Sequence, residues 1–290
     1  MRSESQMYKL ILDIANQDER IYAVYMNGSR TNKNVPEDMF QDFDIVYVVE
    51  ETGSFRKDKK WIEKFGTILY MQYPEESPYY PSDKENCYGW LMQFNDGNRI
   101  DLHVETVSHA LDHITEDKLC KILLDKKGIL PRLPEAGDED YHVKKPSKEQ
   151  FQAVCNDFWW CTNNIAKGLW RKEILYVQDM ANFVVRKQLE TMLSWKIGIH
   201  TDFSVSVGKS AKYMGKWLEK AEWEEYLSTY FRCRTEEAWE AVMRMCTLFE
   251  RTARFVGEKF SYPYNETEGK NARMYLEHVR MLPEDAKEIY

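Results

Sequence analysis

Three short pieces of this 290-residue chain carry side chains of the type and spacing that do chemistry: Gly28-Ser29-Arg30, Asp42-Phe43-Asp44, and Asp101 within Arg99-Ile100-Asp101-Leu102-His103. If Asp42-Phe43-Asp44 opens a strand, period-two alternation sends both carboxylates to one face and Phe43 into the core. Two carboxylates held that close repel unless a cation sits between them. Ligands that are all oxygen favour a hard ion, and Mg²⁺ takes few protein carboxylates because it keeps water and substrate phosphates in its shell. Asp101 can add a third carboxylate from a neighbouring strand. Gly28 lets the backbone approach a phosphate closely, and Ser29 adds a hydroxyl and an N–H donor. Each piece alone is commonplace. Ordered as strand, Gly-Ser, spacer, Asp-x-Asp strand, hairpin and Asp, they describe a phosphate-holding turn beside an acidic metal site, which is the equipment of phosphoryl or nucleotidyl transfer.

Positive residues flank this set. Arg30 and Lys33 adjoin the phosphate turn and can neutralise phosphate charge. Lys209, in SVGKSAKYM, follows Gly208 at an expected helix N-terminus, where the dipole favours anions, with Lys212 and Tyr213 as lesser partners. No GxxxxGK spacing precedes it, which excludes a Walker-type loop. His103 points the same way as Asp101 and reads as structural.

The elements that must position these residues are legible. A helix is expected over Glu4–Gln17, then strands at Ile21–Met26 and Phe43–Val49, a helix at Lys57–Phe65 and a strand at Thr67–Tyr73. YGWLMQFNDGNRIDLHVETV reads as a hairpin turning at Asn95-Asp96-Gly97-Asn98. The proline-bearing stretch from Pro131 to Pro146 breaks the periodicity and marks a boundary, giving domains 1–145 and 146–290. Beyond it Ser147 and Gln150 form a capping box, and helices are expected after Ser147 and over Lys172–Ile197, Ser210–Tyr230, Glu236–Lys259 and Asn271–Arg280. Seven of nine tryptophans lie in this second half, which implies an aromatic-rich bundle. The fold class is therefore α+β: a mixed sheet flanked by helices, then an all-α helical bundle.

Composition narrows the partners. Residues 1–145 hold 19 Lys and Arg against 27 Asp and Glu, while 146–290 are balanced at 21 each. An acidic N-terminal half argues against nucleic acid and for divalent metals or a cationic small molecule. No apolar run reaches the roughly 20 residues that cross a bilayer, and the N-terminus lacks a signal peptide, so a cytoplasmic protein with no membrane partner is expected. The six cysteines show no CxxC pair and read as free thiols. Either a monomer or a homodimer fits.

Gly28-Ser29, Asp42-Phe43-Asp44 in QDFDIVYVV and Asp101 in RIDLH resemble the signature of the polymerase-beta-type nucleotidyltransferase superfamily. More narrowly, MNGSRTNKNVPEDMFQDFDIVYVV, FNDGNRIDLHV, LWRKEILYVQDM, MLSWKIGIHTDFSVSVGKSAKYM and FSYPYNETEG resemble the aminoglycoside 6-adenylyltransferases, across both halves. The resemblance implies transfer of AMP from ATP to a hydroxyl of a streptomycin-like aminoglycoside, with pyrophosphate leaving and antibiotic resistance as the consequence. It implies that Asp42 and Asp44 hold two Mg²⁺ ions and that Ser29 contacts the ATP phosphates. Asp101 is the third acidic residue, as metal ligand, general base or both. Guanidinium-bearing acceptors want carboxylates and aromatic faces, which the helical half offers at Glu173, Asp179, Trp160 and Trp170. Other readings are adenylyl transfer to another small molecule or a protein side chain, and a catalytically silent nucleotide-binding or antitoxin-like module.

Overall fold

A computed structural model describes residues 1–290 as two compact units, Met1–Asp140 and Tyr141–Tyr290. The division falls five residues before the expected boundary, because Val143 already belongs to the second unit: its N–H donates to Val205 and its side chain joins the helical core.

The first unit is built on a six-stranded mixed sheet. Its strands are β1 (Ile21–Asn27), β2 (Phe43–Val49), β3 (Ile68–Gln72), β4 (Cys87–Phe94), β5 (Arg99–Thr106) and β6 (Cys120–Asp125), in the order β3-β4-β5-β2-β1-β6. Only β2 and β5 run parallel. One face buries Ile45, Tyr47, Trp90 and Leu102 beneath helix α1 (Glu4–Gln17) and a short turn at Trp61–Phe65. Such side chains contribute roughly 1.5–3 kcal/mol each when fully buried. Helix α1 starts at a Ser3/Gln6 capping box and packs Met7, Ile11 and Ala15 onto the sheet. The opposite face is thinner, with Tyr25, Val46 and Val48 under helix α3 (Val107–His113).

The hairpin forms where Asp-Gly predicts it. Gly97 takes φ +89°, and Asp96 accepts from the backbone N–H and guanidinium of Arg2 at 3.0 and 2.7 Å. The expected helix over Lys57–Phe65 is instead two short pieces, α2 (Gly53–Lys57) and the turn Trp61–Phe65, divided at Asp58. Phe55 anchors the first piece and Trp61 with Phe65 the second, and Phe55 meets Trp61 edge to face at 4.9 Å. Strand β6 and helix α3 are additions to the reading from sequence: β6 is short, and only pairing with β1 defines it.

The second unit is all helical: α4 (Lys148–Trp170), α5 (Ile174–Asp179), a wider π turn (Met180–Val185), α6 (Arg186–His200), α7 (Lys220–Leu227), α8 (Thr235–Phe260) and α9 (Glu266–Met281). The Ser147/Gln150 capping box opens α4 as predicted. Phe158 of α4 stacks on Phe249 of α8 at 3.7 Å, with Trp159 edge-on to both. The expected helix Ser210–Tyr230 survives only as α7. Upstream of it Ser210 and Ala211 hold left-handed φ of +55° and +59°, and Gly215 lies against the Trp223 ring. Tertiary packing overrides the local helical pattern there. No helix of the molecule is long and apolar enough to cross a membrane.

Candidate active site

The parallel pairing of β2 with β5 sets Asp44 directly opposite Asp101. Adjacent strands lie about 4.8 Å apart, so two side chains at one register position share a face and meet. Asp42, one turn of the pleat earlier, completes the set: carboxylate oxygens of Asp42, Asp44 and Asp101 all lie within 4.8 Å of one another. Phe43 between them is fully buried, as its position requires. Burial, with Asp42 and Asp101 beside it, pushes the Asp44 carboxyl up to about 7.

Gly28 follows β1, whose Asn27 pairs with Asp44. Its φ of +79° is one that side chains rarely adopt, and a Cβ built there would overlap the Asp44 carboxylate. Its N–H donates to Leu119 at 3.1 Å, and its carbonyl accepts from the Thr31 N–H and hydroxyl at 3.1 and 2.8 Å. These bonds hold the Ser29–Thr31 turn against the acids. The glycine is thus required twice, by its backbone and by the acid beside it.

Arg30 is placed differently from its expected phosphate-facing position. Its guanidinium donates to the carbonyls of Asp42 and Gln41 at 2.8 and 2.7 Å, reaches Glu4 at 3.3 Å, and lies 3.8 Å over the Phe43 ring. It therefore braces the loop that presents Asp42. Lys33 pairs with Glu135 at the surface. His103 lies on β5 with its ring across Gly89, a structural placement.

Arg99 is the residue that sequence reading missed. It forms a two-pronged bond to Asp101 at 2.7 and 2.6 Å and stands 3.7 Å from Asp42. The available signal was its position two residues before Asp101, which puts both on one face of β5. Arg99 is the resident counter-charge of the three acids. Arg99→Gln should therefore lower the melting temperature of the metal-free protein while tightening Mg²⁺ binding several-fold, since one competing cation is removed. The magnitude follows from about 1 kcal/mol for a half-exposed ion pair. Calorimetric Mg²⁺ titration with no nucleotide reads it, and weaker binding in the variant would overturn it.

An all-oxygen donor set with three converging carboxylates and a single arginine fits a hard divalent cation. It also makes the metal-free fold sensitive to pH. Because folding raises the Asp44 pKa from 3.8 to about 7, the folded state binds this proton more tightly than the unfolded chain. The stability it contributes is full below about pH 4 and is lost as pH rises to about 7. Urea midpoints in chelator should fall across that window, and Asp44→Asn should flatten the slope. A wild-type profile that matches the variant would contradict this origin.

The helical unit does not gather its expected residues. Lys209 begins a single tight turn containing the left-handed Ser210, not a helix, so the helix-terminus rationale for anion binding fails. Lys212 and Lys216 instead lie 5.0 and 4.4 Å over the Tyr213 ring. Trp160 is 70% exposed, whereas Trp170 is half-buried against the core and donates to the Pro283 carbonyl at 3.3 Å. Ten residues apart on α4, they face directions about 80° apart and lie about 15 Å apart along its axis. Glu173 and Asp179 are exposed at opposite ends of α5, and Glu173 stands 4.0 Å from Arg171. A separate cavity of about 440 Å³ opens between α6 and the left-handed segment, lined by Lys187, Glu190, Ser194, Trp195, Ser210 and Ala211 among others. Nothing in the sequence pattern pointed to it.

The sequence has relatives among known proteins. Residues 1–279 match the family model described as streptomycin adenylyltransferase. The chain is 40% identical over 264 residues to an aminoglycoside 6-adenylyltransferase of Campylobacter jejuni, covering 91% of each chain. It is 38% identical over 265 residues to one of Bacillus subtilis (strain 168), covering 91% of this chain and 93% of the other. A Staphylococcus aureus protein of the same name is 31% identical over 277 residues, covering 95% and 98%.

Proposed function

Because this chain belongs to the streptomycin adenylyltransferase family, we propose that it transfers AMP from ATP to a hydroxyl of a streptomycin-like aminoglycoside, at the 6-position, with release of pyrophosphate. The observation that carries the reading is the convergence of Asp42, Asp44 and Asp101 beside the Gly28-Ser29 turn. In this reading Asp42 and Asp44 would hold Mg²⁺, two ions in all, with Asp101 as a further ligand. When bound, the metal would supply neutralisation of the triphosphate's charge.

The chain's own groups do the rest. The turn at Gly28 brings the Ser29 hydroxyl and N–H to the terminal phosphates of ATP. Arg30 fixes the Asp42 carbonyl and so the aim of its carboxylate. Asp101, gripped by Arg99, is positioned to accept the acceptor's hydroxyl proton once the substrate is seated. Lys209 is exposed and can add charge to the triphosphate. For the acceptor, the accessible groups that suit guanidinium are the carboxylates of Glu173 and Asp179 and the face of Trp160, with Trp170 only partly reachable. A cytoplasmic enzyme acting on small molecules, with no nucleic-acid partner, fits the acidic first unit.

The test is pyrophosphate release from ATP and Mg²⁺ with and without streptomycin, followed by the mass of the drug. Streptomycin-dependent release with an AMP-adducted drug supports the proposal. Release with a different aminoglycoside alone would keep the reaction and change the acceptor. No release with any of a panel would sink it in favour of a silent nucleotide-binding role.

A further inference from the structure

At the other end of β5 a second cluster stands apart from the acids. Glu105 lies four residues beyond Asp101, about 13 Å along the strand, and is buried with 8% exposure. No lysine or arginine pairs with it. Its partners are the Tyr25 hydroxyl, donating at 3.0 Å, the Cys87 thiol at 3.9 Å and His109 Nδ1 at 3.1 Å. Sγ of Cys87, a carboxylate oxygen of Glu105 and a ring nitrogen of His109 all lie within 4.8 Å of one another.

We propose that Cys87, Glu105 and His109 form a zinc site, separate from the Asp42–Asp44–Asp101 set and selecting a different metal. The donors are one sulfur, one imidazole nitrogen and one carboxylate oxygen. That mixture suits a borderline-soft ion such as Zn²⁺ and not Mg²⁺. Zinc–ligand bonds of about 2.0–2.3 Å in a tetrahedron set neighbouring ligand atoms about 3.5 Å apart. Cys87 Sγ stands 3.9 Å from one Glu105 oxygen and His109 Nδ1 3.1 Å from the other, with the three ligand atoms within 4.8 Å of one another, so side-chain rotations that draw them together complete the set.

The surroundings match such a site. Tyr25 donates to the Glu105 carboxylate and orients it, as outer-shell partners do. The His113 ring stacks on His109 at 4.1 Å and restricts its turning. Cys87 and His109 are half-buried, which leaves a path for the ion and a fourth position for water. Binding replaces the Cys87 thiol proton, which passes to solvent. The three residues come from β4, β5 and α3, so the ion would staple that helix to the strand that carries Asp101.

Cobalt titration of the purified full chain tests the idea, because a cobalt–thiolate bond gives a near-ultraviolet charge-transfer band that carboxylates cannot produce. Wild-type protein is expected to take up one Co²⁺ with this band and to lose it when Zn²⁺ is added. Cys87→Ser should abolish the band, and His109→Gln on the half-exposed helix should weaken Co²⁺ binding at least tenfold. Asp42→Asn should leave the band unchanged. A saturating titration without the band overturns the proposal, as does a band that persists undiminished in His109→Gln and Cys87→Ser. Zn²⁺ should also raise the melting temperature of wild type, and an equal rise in His109→Gln would count against the site.

Discussion

Asp42→Asn and Asp44→Asn should each lower AMP transfer by about a thousandfold or more, equivalent to about 4 kcal/mol of transition-state stabilisation. The substitutions are nearly isosteric, so they open no cavity, yet each removes a charged ligand from the oxygen set that fits Mg²⁺. The two variants should part company in stability. Asp44 is the acid raised by burial and by Asp42 and Asp101, so its amide relieves repulsion. In chelator at pH 8, Asp44→Asn should melt above wild type. Asp42, nearer solvent and 3.7 Å from Arg99, should change little when neutralised. Steady-state rates with saturating ATP, paired with thermal melts, read both effects. An Asp44→Asn enzyme with near wild-type turnover would refute the metal-site assignment. A melt well below wild type would refute the repulsion account.

Gly28→Ala should be nearly as damaging to activity although it alters no polar group. The new methyl would occupy the space of the Asp44 carboxylate, and alanine at φ +79° carries backbone strain of order 1–3 kcal/mol. Asp44 must swing away from Asp101 or the turn must open; either way the phosphate cradle and the metal ligands lose their mutual register. We expect kcat/KM for ATP to fall at least a hundredfold with a melting temperature only a few degrees lower. Circular dichroism distinguishes this from simple unfolding. Full activity in folded Gly28→Ala would show that the turn and the acids are not coupled.

The sequence by itself determined the inventory of the site. Period-two alternation put Asp42 and Asp44 on one face with Phe43 inward, Asp-Gly placed the hairpin, and capping boxes started α1 and α4, because these are local rules acting over two to four residues. What these rules cannot reach is which strand lies beside which. The parallel register that sets Asp44 against Asp101 joins residues 57 positions apart, and only sheet assembly decides it. The same holds for Arg99, whose role as counter-charge needs Asp42 at the entry to the neighbouring strand, and for Arg30, which turns to backbone carbonyls instead of solvent. In the helical unit Ser210 and Ala211 hold left-handed conformations inside a segment of helical pattern, with Gly215 packed on Trp223 next to them. Local spacing encodes which groups are available. Long-range packing, where burial and charge outweigh propensities of less than 1 kcal/mol per residue, decides which of them meet.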